Sequence, residues 1–199
     1  MEAEIEFDTE TATWADYESV LSAAASRVVA QMKAEDDRPI TVIMGNPPYS
    51  VGQKSANDNA ANEHYDALDE RVRETYAASS SGVNKVALYD SYIRAFRWAA
   101  DKIDANGGRG LIAFISGGGW LDGKSMDGFR KCMADEFDAI YVFNLRGNHR
   151  TSGELCRREG GNVFGQGARV PITITIAVKR GDKEATNERL RKEEGKRAG

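Results

Sequence analysis

Thr41-Val42-Ile43-Met44-Gly45-Asn46-Pro47-Pro48-Tyr49 joins a strand-forming run to a rigid turn, and the fold class follows from that junction. Apolar and β-branched residues lead into a glycine, an asparagine, two prolines and an aromatic, the pattern of a buried strand that stops at a non-helical turn. Pro47 pushes Asn46 into the extended region, and Pro48 does the same to Pro47. Neither proline carries an N–H, so nearby carbonyls are left to accept hydrogen bonds from something else. The expected product is a stiff shelf with an amide side chain, bare carbonyls and one aromatic face.

Such a shelf suits the presentation of an exocyclic amine to an electrophile. The amine of adenine is a poor nucleophile because its lone pair is delocalised into the ring. The Asn46 side-chain oxygen and the Pro47 carbonyl would accept the two amine hydrogens and favour a pyramidal nitrogen. Positioning and charge stabilisation of this kind need no strong base. Tyr49 would stack on a base that has left its duplex. The same residues also describe a Pro-rich turn after a buried strand, with Tyr49 half-buried.

Working outward, the Leu111 to Ile115 run within Gly110-Leu111-Ile112-Ala113-Phe114-Ile115-Ser116 is nearly continuous in apolar residues, as in a parallel strand covered on both faces. Before it, Val86 to Ile103 reads as one helix, with Leu88, Tyr92, Phe96 and Ala99 on its apolar side and Trp98 and Ile103 extending it. Asn106-Gly107-Gly108 ends that helix. Asp122 to Phe137 reads as a second helix, through Met126, Phe129, Cys132, Met133 and Phe137, and Ile140 to Phe143 as the next strand. Val170 to Val178 alternates Ile with Thr, which predicts a strand with one wetter face. Strands alternating with helices on short connections argue for an α/β layered domain. Upstream, Trp14 to Met32 repeats Tyr17, Val20, Leu21, Ala24 and Val28 at helical spacing, and Asp66 to Ala77 has helical composition.

The Asn46-Pro47-Pro48-Tyr49 tetrapeptide after a strand resembles the catalytic motif of adenine N6-methyltransferases that use S-adenosylmethionine. The run from Ile43 to Gln53 is similar to Type ISP restriction-modification enzymes, single polypeptides that join nuclease, ATPase, methyltransferase and target-recognition parts. Leu88-Tyr89-Asp90-Ser91-Tyr92-Ile93-Arg94-Ala95, Val142-Phe143-Asn144-Leu145-Arg146-Gly147-Asn148 and Arg150-Thr151-Ser152-Gly153-Glu154 fit the same family. The resemblance implies a partial Rossmann-like methyltransferase fold, α/β, with a mostly parallel sheet and a late antiparallel strand. It implies S-adenosylmethionine as cofactor, duplex DNA with a flipped adenine as substrate, and Asn46, Pro47, Pro48 and Tyr49 as the catalytic residues.

Gly45 is the only glycine in the first 45 residues, so no Gly-x-Gly loop to hold the cofactor precedes the shelf. Gly117-Gly118-Gly119 and Gly165-Gln166-Gly167 read better as tight turns. The chain is therefore expected to be the second half of a methyltransferase domain, a fragment: 1–38 an acidic segment and helix, 39–180 the half-domain with the shelf, 181–199 a charged tail. Partners would be an upstream half-domain or the nuclease and ATPase parts of a larger enzyme. Two other readings stay open, an amine methyltransferase acting on protein glutamine or RNA, and a non-catalytic remnant that needs a partner half.

Composition bounds these readings. The chain has 199 residues, 41% hydrophobic and 29% charged, enough for one domain with a proper core. Its net charge of −4 offers no global positive field, so DNA contact needs a local patch. Arg146, Arg150, Arg157 and Arg158 lie among glycines, serines and asparagines and are the candidates to track phosphates; the alternative is a solvated loop. Trp120 is a candidate for an exposed aromatic near the pocket, and His64 reads as a surface residue. Cys132 and Cys156 have no metal-ligand spacing and point to a reducing, cytoplasmic setting without a membrane segment.

Overall fold

A computed structural model describes residues 14–35, 40–48, 65–146 and 171–181. Its elements in chain order are α1 (Trp14–Glu35), β1 (Thr41–Gly45), α2 (Asp66–Val72), α3 (Ser91–Ala105), β2 (Arg109–Gly117), α4 (Asp127–Glu136), β3 (Ala139–Arg146) and β4 (Ile172–Arg180). The strands form one sheet in the order β1-β2-β4-β3. β1 and β2 are parallel, and β4 is antiparallel to both β2 and β3. The late antiparallel strand is present as expected. It lies inside the sheet, however, so three strands share a direction while two of the three pairings are antiparallel: the sheet is mixed.

Side-chain alternation splits the core into two layers. Ile112, Phe114 and Ala177 point to the face covered by α3 and α4, where Phe96, Ala99, Ile103, Phe129 and Met133 pack on them. Leu111, Ala113, Ile115, Ile174, Ile176 and Val178 point to the other face, covered by Tyr17, Leu21, Ala25 and Met32 of α1. Every residue of β2 is buried, and so is every residue of β4 from Ile172 to Val178. The wetter face expected for β4 is not there. Thr173 and Thr175 are fully buried because β4 sits between β2 and β3 and beneath the α3–α4 layer, where their methyl groups serve as small β-branched packing.

Helix boundaries differ from the periodicity in two places. Val86–Tyr89 is a 3₁₀ turn, and Asp90 (ψ 146°) breaks it from α3. Lys124–Met126 is likewise a 3₁₀ turn before α4. Trp98 is nearly half exposed, the reverse of its reading from sequence, and Trp120 is buried, so it is not the exposed aromatic for which the sequence makes it a candidate. Trp120 sets its ring edge-on to Phe129 at 5.4 Å, part of a cluster with Phe96 and Tyr76. α3 ends as its glycines require: the N–H of Gly108 donates to the Ile103 carbonyl at 2.8 Å and that of Gly107 to Asp104, with both glycines at positive φ. Gly117 to Gly119 have no positive φ. The need at Gly118 is closeness, since a Cβ there would lie 2.9 Å from Thr173 Cγ2.

Ion pairs lace α2, α3 and α4 together. Arg97, almost fully buried, donates to both carboxylate oxygens of Glu136 at 2.7 and 2.9 Å and pairs with Asp101 at 2.8 Å. Arg71 reaches the same Asp101, and Arg94 forks onto Asp69. Burial works against the Arg97 charge, but the Glu136 hydrogen bonds outweigh it and its pKa is raised. The approach of α4 to the π-helical turn Arg73–Ala77 is so close that a Cβ on Gly128 would lie 2.0 Å from the Tyr76 carbonyl oxygen.

Candidate active site at the carboxyl end of the sheet

Because β1, β2 and β3 run the same way, their carboxyl ends share one edge of the sheet, where open α/β sheets bind ligands. β1 delivers Asn46-Pro47-Pro48 to that edge. Asn46 is exposed, Pro47 buried and Pro48 exposed, so the buried ring anchors the turn while the amide faces outward. β2 runs three residues beyond the last β1 pairing, Gly45 with Phe114, and ends at Gly117. There the Gly118 N–H donates to the Pro171 carbonyl at 2.6 Å, tying the end of β2 to the start of β4. Arg130 donates to the carbonyls of Trp120 (2.7 Å) and Gly123 (2.9 Å) and fixes the turn that follows.

A cleft of about 300 Å³ opens beside the shelf, between α1 and the end of β1. Leu21, Met44 and Ile115 give it an apolar floor, and Glu18, Ser22 and Asn46 are its polar groups. Glu18 and Ser22 are one helical turn apart on α1 and so face the same way. Sequence reading passed over both, since a Glu and a Ser on an Ala-rich helix look like ordinary solvent-facing residues. A larger apolar groove, about 630 Å³, runs between α1 and β3 past Tyr17, Tyr141 and Phe143. No residue of the Asn-Pro-Pro turn lines it, so it is separate from the shelf.

Of the other expected site residues, Arg146 closes β3 at the same edge as Asn46. Three strand spacings, roughly 14 Å, separate their strands. Tyr49, Arg150, Arg157 and Arg158 lie outside the described residues, as do His64, Cys156 and Gly165 to Gly167. Cys132 is a buried free thiol whose pKa burial pushes up, so it is poorly suited to act as a nucleophile. No group of His, Cys, Asp and Glu that could hold a metal occurs among the described residues, and no described helix is long and apolar enough to cross a membrane.

Among solved structures, the chain is similar to a nuclease-deletion mutant of the Type ISP restriction-modification enzyme LlaGI in complex with a DNA substrate mimic. Identity is 43%, the TM-score is 0.66, and the match covers 76% of this chain and 12% of that one. The chain is homologous to a segment of the Type ISP restriction-modification enzymes. The ATP-dependent Type ISP enzyme LlaBIII bound to DNA matches at 40% identity and TM-score 0.64, over 79% of this chain and 10% of that one. DrdV in its DNA complex matches at 40% and 0.65, over 74% and 14%. This chain therefore spans only 10–14% of the length of these three relatives. No protein-family model and no curated protein matches the sequence.

Proposed function

We propose that this chain is the catalytic-shelf half of a DNA adenine N6-methyltransferase within a Type ISP restriction-modification system. The observation that carries the reading is the Asn46-Pro47-Pro48 turn, anchored by a buried proline at the carboxyl end of a parallel strand pair, in a chain homologous to enzymes described with DNA. Asn46 would accept one hydrogen of the target amine through its side-chain oxygen, and the Pro47 carbonyl would accept the other. Two acceptors on a rigid turn favour a pyramidal nitrogen and cost little reorganisation as positive charge develops on it. Tyr49, the next residue along, would supply the stacking face for the extruded base. Arg146, Arg150, Arg157 and Arg158 would hold phosphates.

S-adenosylmethionine, when bound, supplies an electrophilic methyl group on a positively charged sulfur. The cleft beside Asn46 fits that end of the molecule: among the described residues it has an apolar floor and one carboxylate, and its 300 Å³ is at the lower bound of ligand pockets. For the ribose, the sequence upstream of the shelf offers no glycine loop. β1 is the edge of the sheet among the described strands, and Val42 and Met44 on it are nearly half exposed. That edge favours a second reading in which another half-domain completes the cofactor site.

Calorimetric titration with S-adenosylmethionine, followed by a methyl-transfer assay on duplex DNA scored as N6-methyladenine, tests the proposal. Saturable binding with methylation lost in Asn46→Ala supports the methyltransferase assignment and overturns the half-domain part of it, since the cofactor site would then be complete in this chain. A folded chain that binds and methylates only after an upstream half is added supports the second reading. Binding with transfer to protein glutamine or RNA, and none to DNA, overturns the DNA assignment.

A further inference from the structure

Among the described residues, Glu18 is the one carboxylate lining the cleft that Asn46 borders, and it forms no ion pair with any of them. It stands on α1, an element outside the motif, and only the packing of α1 on the α1-side face of the sheet brings it there. Leu21 of the same helix forms part of both the cleft floor and the core, so the helix face that carries Glu18 is held in register with β1. Ser22, one turn on, adds a hydroxyl beside it.

Resting on the methyl-donor reading above, we propose that Glu18 is a positioning residue that selects the positively charged sulfonium of the donor over its neutral thioether product. The methyl group must lie against the amine that Asn46 holds, and its sulfur is one bond further away. The positive charge therefore falls inside the same small cleft as the Glu18 carboxylate. The apolar floor of Leu21, Met44 and Ile115 excludes part of the competing water, which strengthens the attraction. Once the methyl has left, the sulfur is neutral and that attraction vanishes, so Glu18 favours release of product. Ser22 contributes a hydrogen bond that does not depend on charge.

The test is calorimetric titration of the full chain, wild type, Glu18→Gln and Ser22→Ala, with S-adenosylmethionine and separately with S-adenosylhomocysteine, circular dichroism confirming the fold. Wild type should prefer the sulfonium ligand. Glu18→Gln should weaken S-adenosylmethionine about fivefold, the scale of one partly exposed ion pair, and leave S-adenosylhomocysteine unchanged. Ser22→Ala should weaken both ligands equally. The wild-type preference should shrink in high salt. Equal loss for both ligands in Glu18→Gln places the carboxylate elsewhere on the donor and overturns the proposal, as does no loss for either. A folded wild type that binds neither ligand, alone or with an upstream half-domain added, overturns the donor reading itself; binding by wild type with an indifferent Glu18→Gln overturns this inference alone.

Discussion

Gly110→Ala tests whether the shelf depends on the β1–β2 contact. Gly110 lies opposite Thr41 in the parallel ladder. A Cβ built on it falls 2.2 Å from the Thr41 carbonyl oxygen and 3.1 Å from Ile103 Cγ1. A carbon and an oxygen in ordinary contact sit roughly 3.3 Å apart or more, so β1 must retreat by about 1 Å. The obstacle is backbone and cannot rotate away. Overpacking of this kind costs about 2 kcal/mol, or roughly 4–8 °C in Tm for a chain of this size. The matched control is Gly119→Ala: its Cβ meets no atom within 4 Å and its φ is not left-handed, so its cost should stay within about 0.5 kcal/mol. Urea denaturation monitored by circular dichroism gives both values, and hydrogen exchange shows whether the β1 amides are the ones loosened. A displacement of 1 Å at a reacting group also costs about 100-fold in rate, so under the proposed function methyl transfer should fall further than stability does. If Gly110→Ala is as stable as Gly119→Ala, the β1–β2 approach does not set the position of Asn46.

Further outcomes follow from the helical layer. Gly128→Ala should destabilise the chain by about 3 kcal/mol in the same denaturation assay, since its Cβ meets the Tyr76 carbonyl at 2.0 Å and the Ser80 nitrogen at 2.6 Å. Arg97→Ala should cost about 3 kcal/mol, because Glu136 and Asp101 lose their shared partner; the double variant with Glu136→Gln should recover part of that loss. Burial works to raise the Asp101 pKa, but the Arg71 hydrogen bond and the Arg97 charge outweigh it and hold the pKa below the ordinary 3.8. A depressed folded-state pKa contributes stability that is present above pH 3.8 and is lost as pH falls through the folded value. Tm measured from pH 7 down to pH 2 should therefore drop in acid, and Asp101→Asn should flatten that drop.

Much of the fold was legible because the relevant signals are local. The apolar run from Leu111 to Ile115 could only be a strand covered on both faces, and Phe96, Ala99 and Ile103 marked the buried side of α3. The shelf was legible because two prolines leave the backbone few choices. What escaped reading depends on the chain's partners in space. Leu88 and Tyr92 keep helical spacing across Asp90, so periodicity cannot see the break there. The Ile–Thr alternation of β4 reads as half-wet unless one knows that the strand is inserted between β2 and β3. Trp120 looks like a surface aromatic after a glycine turn until Phe129 folds over it. Glu18 lies twenty-eight residues before Asn46, and no local pattern joins them; the packing of α1 does.

The insertion of β4 between β2 and β3 also governs the order in which this fold can assemble as the polypeptide leaves the ribosome. β3 has no partner among the described strands until β4, some twenty-five residues later, has been synthesised. Until then β2 offers an open apolar flank beside a nascent β3 that it must not capture, because a direct β2–β3 pairing would occupy the seat of β4. Closing the pairs from Gly117–Ile172 to Arg109–Arg180 spans more than fifty residues of chain, a late and slow event. Nascent chains paused before Ile172 should therefore be the species most prone to misfolding and most in need of chaperone cover.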